Sequence, residues 1–223
     1  MTGAASGAAS LSPAHASAWT QAAGDKQWFG NVSRETGDYG QTWRADDYVE
    51  MGFGGGWGAT AKIESAIRIA NQYDDKSGLQ VGLVKSFALS ARASISLSAS
   101  ALAGEDLEGP DCQGGGYESR AALGTSYNVF GREGFVNVET ARRTRGSLCD
   151  RTLAEATAGI DVVGGLKLLA KAYSEDGDGA HSTKAEASLL YDFGPVSLGL
   201  GWRQEVSGHF EEKGWVLSAL RKF

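Results

Sequence analysis

Across residues 93–101 the chain alternates without a break. Ala93, Ile95, Leu97, Ala99 and Ala101 take one parity, and Ser94, Ser96, Ser98 and Ser100 take the other. Successive side chains of an extended strand point to opposite sides, so the stretch is a ribbon with one oily face and one polar face. A helix would mix three- and four-residue steps between apolar positions, whereas this stretch keeps a strict step of two. The dyad returns in segments 26–34, 44–53, 59–71, 79–87, 117–128, 135–145, 151–162, 166–174, 183–193, 196–205 and 215–223. That gives about 12 strands of roughly 9–12 residues, a length that crosses a bilayer when tilted. Short, glycine-rich turns after Phe53, Leu89, Phe130, Val163 and Phe193 alternate with longer connections. The longer ones fall at 37–40, at Asp74-Asp75, and over 104–116, 146–150, 175–178 and around Gly208, and most of them are acidic.

The two faces decide what kind of sheet this is. One carries Val49, Met51, Ile63, Ile67, Leu79, Val81, Leu83, Ile95, Leu97, Leu189, Leu198, Leu200, Trp215 and Leu217, interspersed with alanine. The other carries Arg44, Asp46, Glu50, Lys62, Glu64, Arg68, Glu118, Arg120, Glu139 and Arg143, then Glu155, Asp161, Lys167, Lys171, Lys184, Glu186, Arg203 and Glu205. As an interior, the alanine-rich face would make a thin core. With the sheet reversed, the oily face meets lipid tails and the charges line an enclosed, hydrated lumen. Phe53, Trp57, Phe87, Phe130, Phe135, Phe193 and Phe223 cluster at the short-turn ends, where an interfacial aromatic girdle belongs. The expectation is an all-β, closed, up-and-down antiparallel transmembrane β-barrel of about 12 strands.

Composition agrees with this and excludes other classes. No apolar run reaches about 18 residues, so no transmembrane helix is expected. The hydrophobic share of 42% and mean hydropathy of −0.25 suit a chain that hides its apolarity in every second residue. A net charge of −6 argues against nucleic acid as a partner. The carboxylates of the polar face sit beside basic residues, which makes them poor general acids. His15, His181 and His209 all fall outside the strands, and His209 beside Ser207 reads as a solvated pair. Glu175-Asp176-Gly177-Asp178-Gly179 has oxygen ligands at calcium-like spacing but lacks the terminal bidentate glutamate. Two cysteines, Cys112 and Cys149, are too few for a zinc site. No enzyme, cofactor or metal centre is expected.

The last strand names a resemblance. Trp215, Leu217, Ala219, Arg221 and Phe223 share one face, and the sequence stops on the phenylalanine. This resembles the terminal strand of bacterial outer-membrane β-barrels, although Arg221 stands where that family more often has an aromatic. The resemblance implies recognition of this strand by the barrel-assembly machinery and closure against the first strand. It also implies an outer-membrane location, with lipid and lipopolysaccharide as surroundings. Short turns then belong to the periplasmic side, and an even strand number puts both termini there. Ala18-Trp19-Thr20-Gln21 is similar to the mature start of some uncharacterised proteobacterial outer-membrane barrels. The 12-stranded outer-membrane phospholipases use Ser, His and Asn near the rim of the lipid-facing wall, and no strand here matches that spacing. In an oxidising compartment Cys112 and Cys149 are candidates for a disulfide pinning the long loop, with free thiols as the alternative.

Residues 1–18 are mostly Ala, Ser and Gly and end on Ala16-Ser17-Ala18, like the tail of a secretory signal. A disordered linker is the other reading. Residues 19–223 form the barrel. The function expected is porin-like, a channel or binding barrel for small polar solutes. The alternative is a non-conducting structural or anchor barrel serving surface or export machinery, its lumen sealed by ion pairs.

Overall fold

The computed structural model describes residues 18–38, 40–70, 72–105, 112, 114–146, 149–177, 180–208 and 211–223; for 68–70, 72–74 and 180 it describes the backbone alone. Of the expected residual leader, residues 1–18, all but Ala18 lie outside the described residues, as do the histidines His15 and His209. So do the side chain of Arg68 and the Asp178-Gly179 end of the calcium-like stretch.

The twelve strands are β1 (Lys26–Gly37), β2 (Gly40–Gly54), β3 (Trp57–Ala70), β4 (Gln72–Ala88), β5 (Ala93–Gly104) and β6 (Gly116–Val129). They continue as β7 (Arg132–Thr144), β8 (Arg151–Val163), β9 (Leu166–Gly177), β10 (Ala180–Asp192), β11 (Val196–Gly208) and β12 (Lys213–Lys222). Each pairs antiparallel with its sequence neighbours, and β12 returns to β1, from Gln27↔Lys222 to Thr36↔Lys213, so the sheet is a closed barrel. Closure leaves no unpaired edge.

Three of the connections at the end holding the chain termini are two-residue hairpin turns. Gly55-Gly56, Phe130-Gly131 and Gly164-Gly165 all take positive φ at both positions, the type I′ twist that suits paired strands. Phe130 does so without being glycine, and its ring is almost wholly exposed. At the opposite end the strands run further than the alternation alone indicates. The expected loop at Asp74-Asp75 is part of β4, where Asp75 pairs with Ile67. Ladder pairing there carries both strands on, to Ala70 and from Gln72, because each added pair satisfies backbone groups at no cost in register.

Ile63, Leu97 and Leu198 are 55%, 52% and 50% exposed on the outer wall. The opposite parity is enclosed, and most of that enclosed face is polar. Two apolar clusters stand inside the barrel near the terminus end. Phe29, Tyr48 and Leu220 form one across β1, β2 and β12, and Phe135, Leu169 and Leu190 form the other across β7, β9 and β10.

Cys112 and Cys149 form a disulfide, their Cα atoms 5.7 Å apart, joining the β5–β6 and β7–β8 connections across the intervening hairpin. Arg145 reinforces the tie, donating Nη1 to the carbonyls of Gly104 and Gly114 at 2.9 Å each. Closing a loop of this length restricts the unfolded chain, so the double replacement Cys112→Ser, Cys149→Ser is expected to cost about 2–4 kcal/mol. The check is a lower urea midpoint of the refolded protein, with slower migration on boiling retained as proof of a folded barrel.

Candidate functional site: the charged lumen

Strand parity places the charges. On β2 the inward positions include Arg44, Asp46 and Glu50, on β3 Lys62 and Glu64, and on β6 Glu118 and Arg120. On β7 they include Glu139 and Arg143, on β8 Glu155, on β9 Lys171, on β10 Lys184 and Glu186, and on β11 Arg203 and Glu205. All are buried or half-buried. These side chains gather into two networks on opposing walls.

The first network spans the seam between the first and last strands. Lys184 donates to Glu35 at 3.1 Å and to Glu212 at 2.6 Å. Arg203 reaches Glu35 at 3.0 Å and Glu186 at 2.8 Å, and Arg44 reaches Glu212 at 3.2 Å. The second network is built on Glu118, which accepts from Arg120 at 2.9 Å, Arg143 at 3.0 Å and Gln80 at 3.1 Å. Arg120 also bonds Glu139, and Lys62 bonds Glu64. Lys171 stands apart, its ammonium 5.4 Å from the Phe29 ring and 5.9 Å from that of Tyr173. Nearer the terminus end, Lys167 pairs with Asp192 at 2.6 Å, and Asp161 lies half-buried.

Between the networks lies a cavity of about 160 Å³, bounded by Arg44, Lys62, Glu64, Arg143, Lys184 and Arg203 among others. Asn31 Oδ1, Glu139 Oε2 and Ser182 Oγ belong to residues lining the same cavity, and they are buried without a hydrogen-bond partner among the described residues. Buried acceptors of this kind are satisfied by water or by a polar solute. Because cations and carboxylates pair instead of forming rings of one sign, the lumen has little net field.

On the outer wall, Val49, Ile63, Ile67, Leu79, Val81, Leu83, Leu97, Leu189, Leu198, Leu200, Trp215 and Leu217 are exposed, while Met51 and Ile95 are half-buried. Phe53, Trp57, Phe87, Phe130, Phe193 and Phe223 are exposed at the terminus end. Phe135 is a correction: it points inward and is 5% exposed, packed with Leu169 and Leu190 over Gly159. It shares parity with Glu139 and Arg143, so counting by twos puts it inside despite its place at a strand end.

Several inward residues lie beyond the reach of the sequence reading. Glu35 continues the inward parity of β1 past Arg34, the last residue of the alternating segment 26–34. Glu212 reaches inward from the β11–β12 connection, where no parity applies. Residues 18–21, buried or half-buried, enter the barrel at the terminus end. Ala18 N donates to Asn137 Oδ1 at 3.3 Å, Thr20 and Ser86 share a hydroxyl bond at 2.8 Å, and Gln21 N donates to Glu50 Oε1 at 3.0 Å. Arg151, 0% exposed and paired with Glu175 at 3.0 Å, shares the parity of Glu155, and that parity is the signal that finds it.

No family model matches the chain, and no curated protein does. Solved structures do match it. The KdgM porin in complex with disordered oligogalacturonate superposes with a TM-score of 0.63 at 8% identity, over 88% of this chain and 99% of that one. The COG4313 outer membrane channel from Pseudomonas putida F1 gives 0.61 at 10% identity, over 96% and 100%. The NanC porin gives 0.60 at 11%, over 88% and 100%. This chain has the fold of those barrels. At such identities the likeness carries the fold alone, and the activity has to be argued from the lumen.

Arg120 holds two carboxylates at once. Arg120→Met is expected to destabilise the barrel by about 3–5 kcal/mol by leaving buried charge unpaired. Adding Glu118→Gln and Glu139→Gln is expected to return most of that loss. Urea unfolding of the refolded variants in lipid vesicles reads both.

Proposed function

We propose that this chain is an outer-membrane barrel of a Gram-negative bacterium that passes small polar solutes along a mixed-charge lumen. The polar cavity of about 160 Å³ enclosed by a closed twelve-strand sheet carries the reading. Its walls offer both donors and acceptors, which suits hydrated, uncharged or zwitterionic solutes better than one class of ion. The exposed aliphatic wall faces hydrocarbon in this reading, and the aromatic ring at the terminus end lies at the periplasmic interface. The longer connections then meet lipopolysaccharide, and β12 is the strand presented to the barrel-assembly machinery. The role is transport, not catalysis. His181, half-exposed at the rim and 3.4 Å from Asp176, lies on the opposite parity of β10 from the buried Ser182, so the three do not converge on one reacting atom.

One observation favours a second reading, a non-conducting anchor barrel. The two apolar clusters and residues 18–21 together narrow the terminus end of the lumen. Planar-bilayer recording of the refolded chain in potassium chloride separates the two. Discrete conductance steps with a cation-to-anion permeability ratio near unity are expected of the channel. Unbroken silence from protein that still shifts its migration on heating would select the anchor. The lipid-facing assignment is tested by Leu97→Arg, expected to cost about 2–4 kcal/mol of stability in vesicles if that position sits near the midplane. Indifference to this substitution would refute it.

A further inference from the structure

We infer that residues 18–23 are a displaceable strap that narrows the terminus-end mouth of the lumen, swinging on Gly24. The inference rests on the channel reading above for its consequence in transport, but its geometry stands independently.

The strap touches strands far apart in the ring. Gln21 is held by Glu50 of β2, Thr20 by Ser86 of β4, and Ala18 by Asn137 of β7. Its point of entry is β1, and in a ring of twelve β7 stands opposite β1. The contacts fall on β2, β4, β6 and β7 in turn, so the segment follows one half of the ring from its entry to the wall opposite and narrows the aperture from that side. The Phe29–Tyr48–Leu220 and Phe135–Leu169–Leu190 clusters stand on β12, β1 and β2 and on β7, β9 and β10, so apolar side chains constrict the same level from the rest of the wall.

The wall is shaped to receive it. Gly52 and Gly124 are buried, and a Cβ built at either would overlap the strap. At Gly52 it would meet the backbone of Gln21 and Ala22, and at Gly124 the ring of Trp19 and the methyl of Ala18. Neither glycine needs its backbone freedom for a positive φ, so their missing side chains are explained by close approach of the strap.

The attachments are those of something that can leave. At Ala18, Thr20 and Gln21 they are neutral hydrogen bonds or a bond to a carboxylate, and residues 18–24 include no ionisable side chain. Each such bond contributes about 0.5–1.5 kcal/mol net, because the partners are rehydrated on release. Gly24 takes φ of 88° with open space around it, and its N–H is fixed to Gly52 O at 3.0 Å, which makes a hinge beside an anchor.

The test uses the full chain in a background of Cys112→Ser and Cys149→Ser, with Ser98→Cys as an inward-facing reporter beyond the strap. Gly124→Leu fills the seat of Trp19 from the wall side, and the triple variant Trp19→Gly, Thr20→Gly, Gln21→Gly weakens the strap without touching a strand. Two readings are taken: the rate at which a charged methanethiosulfonate labels the reporter thiol in micelles, and conductance in planar bilayers. Both variants are expected to raise the labelling rate about tenfold or more. A third variant omits the reporter and pairs Thr20→Cys with Ser86→Cys in the same background. It is expected to lower conductance when oxidised and regain it on reduction. Labelling and conductance identical to the parent in both strap variants, or a cross-linked strap that conducts like the reduced one, would overturn the gate. Accelerated labelling without conductance in any variant would uphold the strap as a cover while defeating the channel reading.

Discussion

The fold depends on the seam where β1 meets β12. Twelve strands in a ring satisfy each other's backbone groups only if the last one returns to the first, and the ten pairs from Gln27↔Lys222 to Thr36↔Lys213 do this. Register at the seam also sets which parity faces inward for the whole ring, since a slip by one residue would exchange the two faces. The inner ion pairs bridge this junction. Glu35 on β1 is held by Lys184 on β10 and Arg203 on β11, so the charge network reaches over β12 and fixes the pairing from within. Networks of this sort are costly to desolvate and add little net stability, and their value lies in admitting one register.

The interior is graded along the axis. Toward the terminus end it is aromatic and aliphatic, with residues 18–21 along one side of it; toward the middle it is ionic, with a cavity between opposing networks. The outer wall shows aliphatic side chains in mid-strand and aromatic ones at the short turns. A single sequence period of two produces both gradients at once, because each strand contributes alternate residues to each surface.

That periodicity is also why so much is legible in the sequence. The strand count, the antiparallel meander and the inward or outward sense of most charged and aliphatic residues follow from counting by twos. The failures fall where counting stops. Glu212 and residues 18–25 lie outside any strand, so only packing against Lys184, Arg44, Glu50 and Asn137 could place them. For Phe135, position along the strand and parity point to opposite walls, and the parity is the better guide. Asp75 reads as a loop by composition, yet the ladder continues through it, since an acidic side chain on an exposed strand end costs nothing.

The disulfide makes the far rim mechanically uneven. Cys112–Cys149 and the bonds from Arg145 fasten the β5–β6 and β7–β8 connections into one covalently braced block over the β6–β7 hairpin. Across the aperture, the β11–β12 connection is held at Glu212 by ion pairs with Arg44 and Lys184 and by hydrogen bonds with Glu205. One side of that rim is therefore braced by a covalent bond and the other by hydrogen bonds and buried ion pairs, which dissolved salt screens little. A reducing agent would loosen the first flank alone, since the second is tied without sulfur.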